Sequence, residues 1–142
     1  MNTLNSHFIG EITEQQVALE FLKLGYLVSK PLVQCSRYDF VVDINHKLYK
    51  IQVKTSTLKE DAFIEFSTST SHTNTKGTLN LKYSEEDVDF FATMFEGKCY
   101  LIPFSVCGTR AQRLRLIPTK NHQVKGITFA KDYYLEDIIK GL

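Results

Sequence analysis

The sequence predicts an α/β or α+β domain, a central mixed β-sheet flanked by helices. Three observations carry this. An N-terminal segment repeats apolar residues at helical spacing. Two strand-like runs then meet at Asn45-His46, a hairpin signal. Further strand-like runs follow, and a helical segment closes the chain.

The first helix is predicted from about Glu11 to Leu24, where Val17, Ala18, Phe21, Leu22 and Leu24 recur and Gly25 stops it. Tyr26-Leu27-Val28 reads as a short strand ended by Lys30-Pro31. Tyr38 to Ile44 and Leu48 to Ser56 are the two arms of the hairpin, and Phe63 to Phe66 is another strand. Residues 67–80 are dominated by Ser, Thr and Asn and read as a long polar loop, which in a compact domain is often functional. Ser84-Glu85-Glu86-Asp87 resembles a capped first helical turn, acidic where a helix dipole favours acid. Phe90 to Phe95 is apolar, Tyr100 to Phe104 is a strand, Leu114 to Ile117 is a strand candidate, and Tyr134 to Ile139 fits a closing helix.

The chain has 142 residues, 43% apolar and 23% charged, which fits one globular domain over residues 1–142 with a real core. Cys35, Cys99 and Cys107 show no paired spacing, so a reducing compartment and small buried thiols are expected. His7, His46, His72 and His122 are not at zinc-ligand spacing. No apolar run approaches a membrane span, and no signal peptide is seen, so a soluble cytoplasmic protein without a membrane partner is expected.

The net charge is +1, which on its face argues against a nucleic-acid partner. The total hides a segregation. Residues 85–96 carry five acids and no base, and residues 97–131 carry seven bases and no acid. A basic strip of that kind is either a solvated face or a phosphate-facing surface.

Polar residues stand where apolar ones are expected. Alternation along Tyr49 to Lys54 puts Lys50, Gln52 and Lys54 on one face, and Asp39 interrupts the apolar partner strand. Alone, this is an ordinary amphipathic hairpin with one wet face. Glu14, however, sits on the apolar stripe of the helix, where a carboxylate needs a cap, a metal or a lysine partner. Glu11, one turn earlier, is the reserve candidate. Glu14, Asp39, Gln52 and Lys54 together would make a Mg²⁺ site of hard oxygen donors with an adjacent lysine, suited to phosphodiester hydrolysis.

Arg37-Tyr38-Asp39 followed by Ile51-Gln52-Val53-Lys54-Thr55 resembles the core of the PD-(D/E)XK nuclease superfamily. Gly10-Glu11-Ile12-Thr13-Glu14 looks like the helix motif that precedes it, with Glu14 as the helix glutamate. The sequence is similar to the group I intron-associated homing-endonuclease branch, in which Gln often replaces the motif's acid, as Gln52 does here. The likeness extends through Tyr83 to Thr93, Cys99 to Pro103, Arg113 to Leu116 and Asn121 to Gln123, over roughly residues 8–135.

The resemblance implies a restriction-endonuclease-like core and a Mg²⁺-dependent DNA endonuclease, with Mn²⁺ as the substitute ion. It implies Asp39, Gln52 and Glu14 as metal ligands and Lys54 as the residue that positions the nucleophile. It implies a homo-oligomer, dimer or tetramer, acting on double-stranded DNA, since a double-strand break needs two cuts. Gln52 departs from the carboxylate most members carry, which implies weaker intrinsic metal affinity or, alternatively, lost catalysis. Lys76 and Lys82 near the polar segment, and Arg110, Arg113, Arg115, Lys120 and Lys125 in the basic strip, are the candidate DNA contacts. A restriction or junction-resolving nuclease, an inactive DNA-binding module and a protein-interaction domain are the rival readings.

Overall fold

The computed structural model describes residues 3–34 and 37–142; the side chains of residues 71–74 and 78–80 and the expectation for Cys35 lie outside the described parts. The chain opens with α1 (Ser6–Lys23). It starts earlier than predicted because Asn5 caps it: Asn5 Oδ1 accepts from the N–H groups of His7 at 3.1 Å and Phe8 at 3.2 Å. Thr13, Val17, Ala18 and Phe21 form its buried face. Leu22 and Leu24, expected on that stripe, are 54% and 40% exposed. Each residue turns the helix by about 100°, which carries Leu22 out of the face Phe21 occupies.

Gly25, at φ +88°, turns the chain into β1 (Leu27–Ser29). The predicted hairpin is present as β2 (Phe40–Ile44) and β3 (Lys47–Val53), antiparallel from Phe40↔Ile51 to Ile44↔Lys47. Asn45 and His46 turn it at φ 53° and 66°, the left-handed pair a two-residue hairpin of this twist requires. β4 (Thr57–Lys59) and β5 (Phe63–Ser67) follow.

The predicted polar loop is instead a second hairpin, β6 (Ser69–Asn74) and β7 (Gly77–Lys82), paired from Ser69↔Lys82 to Asn74↔Gly77. Its Ser and Thr residues fit a pleated ribbon without supplying the apolar alternation that marks a half-buried strand. The helical turn expected at Ser84 is a turn without a helix. Asp87 Oδ2 accepts from Ser84 N–H at 2.8 Å and from its hydroxyl at 3.1 Å, and the chain passes directly into β8 (Phe90–Phe95). Then come β9 (Lys98–Pro103), β10 (Ala111–Arg115) and α2 (Leu135–Lys140), near their predicted places.

The main sheet has the order β1-β2-β3-β8-β9; β3 and β8 run parallel and the other neighbours antiparallel. One face packs on the helices: Val17 and Phe21 meet Phe40, Val42, Ile51, Val53, Leu101 and Ile139. Phe21 and Phe40 meet edge-on at 6.1 Å, and each is fully buried, worth about 1.5–3 kcal/mol apiece over exposure. The other face carries Phe91, Tyr100 and Ile102 against Ile64, Phe66 and Leu114 of a second sheet, ordered β10-β5-β4. The result is a mixed α/β sandwich, as predicted. Cys99 is buried and Cys107 half-buried, and burial pushes both thiols up to about 12. Among the described residues no helix is long and apolar enough to cross a membrane.

Candidate active site

The site forms where the N-terminal half of α1 lies beside the open end of the β2–β3 hairpin. Asp39 immediately precedes β2 and continues its pairing: its N–H donates to Ile51 O at 2.9 Å. Its Oδ2 accepts the Val53 N–H at 2.7 Å, so the carboxylate is fastened to the partner strand. Pleating fixes the rest. Ile51 and Val53 go into the core, while Gln52, beside Phe91 in the parallel register, stays half-buried on the opposite face. Lys54 follows β3, its N–H donating to Ala92 O at 2.9 Å and its Nζ to Ser69 O at 3.3 Å.

Glu14 stands beside the buried face of α1 with 19% of its side chain exposed, paired to Lys30 Nζ at 3.2 Å. The lysine partner that burial demanded is thus Lys30, a residue the sequence did not single out. Glu11, Glu14, Lys30, Tyr38 and Asp39 line one cleft of about 420 Å³, closed by the 31–34 segment. Gln52 and Lys54 lie beside this cleft and are not part of its lining. Glu11 Oε1 accepts from Gln15 Nε2 at 2.9 Å, and it is Glu14 whose charge acts on Asp39.

The electrostatics follow from burial. Burial pushes the Asp39 carboxyl up to about 6; the Glu14 charge adds to this, while the Val53 N–H, Lys54 and Lys30 oppose it. Burial likewise holds Lys54 below the usual lysine range, helped by Arg37 and opposed by Asp39. Among the described residues no three His, Cys, Asp or Glu side chains converge. The hard donors at the cleft are the carboxylates of Asp39 and Glu14, with Glu11 also in its lining and the Gln52 amide beside it. This set fits a divalent cation that takes oxygen ligands: two like charges act on each other across a partly buried cleft, and a cation would relieve both. The same donors offer nothing to a soft, thiolate-seeking metal.

Arg37 and Tyr83 are further residues at the site to which the sequence assigned no role. Arg37 Cζ lies 4.4 Å, and Lys54 Nζ 5.0 Å, from the Tyr83 ring centroid. Burial pushes the Tyr83 hydroxyl up to about 12.

The candidate DNA contacts fall into separate places. Lys76 is in the exposed turn of the β6–β7 hairpin and Lys82 at its exposed base. Arg110, Arg113 and Arg115 line a groove of about 640 Å³ with Thr109 and Thr128; Lys120 and Lys125 are exposed but outside that lining. Arg113 is not a free charge: it pairs with Glu65 at 2.7 Å, which Lys59 also holds at 2.8 Å. Those two partners hold the Glu65 carboxyl below its usual range.

A family profile described as PD-(D/E)XK endonuclease matches residues 4–136. A solved bacterial homing endonuclease, I-Ssp6803I, superposes with a TM-score of 0.76 at 25% identity, over 97% of this chain and 95% of that one. Protein 5.3 of Escherichia phage T7 is 43% identical over 51 residues, 36% of this chain. The chain matches 43% of the length of that curated relative.

Proposed function

Since this chain belongs to the PD-(D/E)XK endonuclease family, we propose that it is a metal-dependent endonuclease that hydrolyses phosphodiester bonds of double-stranded DNA at specific sites. The observation that carries the reading is the fastening of Asp39 to the Val53 N–H, which sets a half-buried carboxyl between Glu14 and Lys54. Asp39, with Glu14 and the Gln52 amide oxygen, would hold Mg²⁺, with Mn²⁺ as a substitute. When bound, that ion supplies charge stabilisation at the phosphate and acidity to an attacking water. Lys54 orients the water and offsets the negative charge that builds on the phosphate oxygens. Lys30 holds Glu14 in place at the edge of the cleft.

Recognition is assigned to the two basic regions. A two-stranded ribbon such as β6–β7 is of a size to enter a major groove, with Lys76 at its tip and Lys82 at its base. Arg110, Arg113, Arg115, Lys120 and Lys125 hold backbone phosphates. One such site per chain supports a homo-oligomer, dimer or tetramer, for a double-strand cut. The 142 residues act as one nuclease domain on cytoplasmic DNA, in a homing-type role. The amide at Gln52 favours one second reading, a DNA-binding module without catalysis.

The test is DNA cleavage with Mg²⁺ or Mn²⁺ on a randomised-site library, comparing wild type with Asp39→Ala and Lys54→Ala. Wild-type cutting that both substitutions abolish supports the enzyme. Sequence-selective binding without cutting by any of the three supports the module. Absence of DNA binding even at low salt refutes both readings.

A further inference from the structure

We propose that Tyr83 is a positioning residue that ties the β6–β7 ribbon to Lys54. The inference rests on the nuclease reading above. Tyr83 directly follows β7 and is 8% exposed. Phe91 meets its ring edge-on, with centroids 5.4 Å apart at 84°, so the core of the sandwich fixes the plane of the ring. Two cations share that ring: Arg37 Cζ at 4.4 Å and Lys54 Nζ at 5.0 Å from the centroid.

The same two cations grip the foot of the ribbon. Ser69 and Lys82 face each other as its first pair. The Ser69 carbonyl accepts from Lys54 Nζ at 3.3 Å, and the Lys82 carbonyl accepts from Arg37 Nη2 at 2.7 Å. Each strand of the ribbon is thus fastened to one of the cations that rest on Tyr83. Arg37 is further held by Asp87 at 3.6 Å, while its buried Nε–H has no partner among the described residues. The guanidinium is therefore located by its stacking and by one nitrogen end. Lys54, on a flexible four-carbon stem, has the Ser69 carbonyl and the ring face to define where its ammonium sits.

The consequence is a mechanical connection. The ribbon cannot shift at its foot without moving the Ser69 and Lys82 carbonyls, and through them the two cations and the ring between them. Lys54, whose charge acts on Asp39, is held through these contacts, and a shift of the ribbon on DNA would reach it along the same path. Cleavage is in this way conditional on what the ribbon touches, although the ribbon contributes no group to the chemistry.

The experiment compares Tyr83→Leu, which removes the π face, with Tyr83→Phe, which keeps it. Single-turnover cleavage at saturating DNA, DNA affinity without divalent metal, and thermal unfolding are measured on each. The ε-methylene resonance of ¹³C-labelled Lys54 is followed in parallel and identified by its loss in Lys54→Ala. Tyr83→Leu is expected to cut about tenfold or more slowly with DNA affinity changed less than about twofold, and Tyr83→Phe to recover the rate. The Lys54 ε-methylene is expected at high field, from ring current, in wild type and Tyr83→Phe and at its ordinary position in Tyr83→Leu. An unshifted resonance in wild type overturns the proposal even if Tyr83→Leu does not fold. So does a Tyr83→Leu protein that cuts at the wild-type rate, or a Tyr83→Phe protein as slow as Tyr83→Leu. A wild type that cuts no DNA overturns the nuclease reading and this one with it, whereas equal cutting by wild type and Tyr83→Leu overturns this one alone.

Discussion

Asp39→Asn should stabilise the metal-free protein, and should do so only above mildly acid pH. The Asp39 carboxyl titrates at about 6 instead of 3.8. The folded state therefore binds a proton that the unfolded state has already released, and wild-type stability falls as pH rises from 3.8 towards 6. At about 1.4 kcal/mol per pH unit, the charged carboxylate costs the fold at most about 3 kcal/mol at pH 8. Asp39 retains some contact with water, so about 1–2 kcal/mol is expected. The asparagine carbonyl can still accept the Val53 N–H that Asp39 accepts at 2.7 Å, without the charge. Urea unfolding of both proteins in EDTA, from pH 3.5 to 8, reads the difference; in thermal unfolding it corresponds to about 3–6 °C at this chain length. The two proteins should match near pH 4 and diverge through pH 6. An asparagine variant equally displaced at pH 4 and pH 8, or less stable at pH 8, would refute the account of Asp39 as a buried, strained charge.

Gln52→Glu should tighten Mn²⁺ and Mg²⁺ binding by about tenfold in calorimetry, because a third carboxylate joins Asp39 and Glu14; unchanged affinity would remove Gln52 from the ligand set. Arg110→Ala should lower the salt slope of DNA binding by about 0.9, the value for one phosphate contact, and Arg113→Ala by less, since Glu65 already neutralises part of its charge. Equal slopes would mean that Glu65 gives Arg113 up on binding. Phe21→Ala, which empties a fully buried position against Phe40, should cost about 3–5 kcal/mol in denaturant unfolding, with a smaller loss placing the helix packing in doubt.

What could be read from the sequence was local. The β2–β3 hairpin announces itself through Asn45-His46, and strand alternation alone separates Gln52 and Lys54 from Ile51 and Val53. Glu14 was legible as a carboxylate in an apolar setting, but its partner Lys30 carries no periodic signal and is brought to it only by the turn at Gly25. The β6–β7 ribbon reads as a loop because Ser, Thr and Asn dominate residues 67–80; only Thr78 to Lys82 alternates, with Leu79 and Leu81 as its apolar positions. The turn at Ser84 is ambiguous in composition: Ser and acid cap a turn as readily as a helix, and the continuous apolar run that follows carries no alternation to separate the two. Tyr83 lies in a stretch that resembles the family, but its contacts with Arg37 and Lys54 depend on the ribbon before it, which returns the chain to the open end of the β2–β3 hairpin.

The parallel pairing of β3 with β8 also has a consequence for the order in which the molecule folds. The Asp39 anchor is made within one hairpin, between residues close in sequence, and can form early at little entropic cost. The Lys54 N–H waits for Ala92, which lies beyond the long excursion through β4, β5 and the ribbon and closes on it at a larger entropic cost. Hydrogen exchange during refolding should therefore protect the Val53 amide before that of Lys54. A chain caught part-way holds the acid and not the base, so the lysine is among the last parts of the site to arrive.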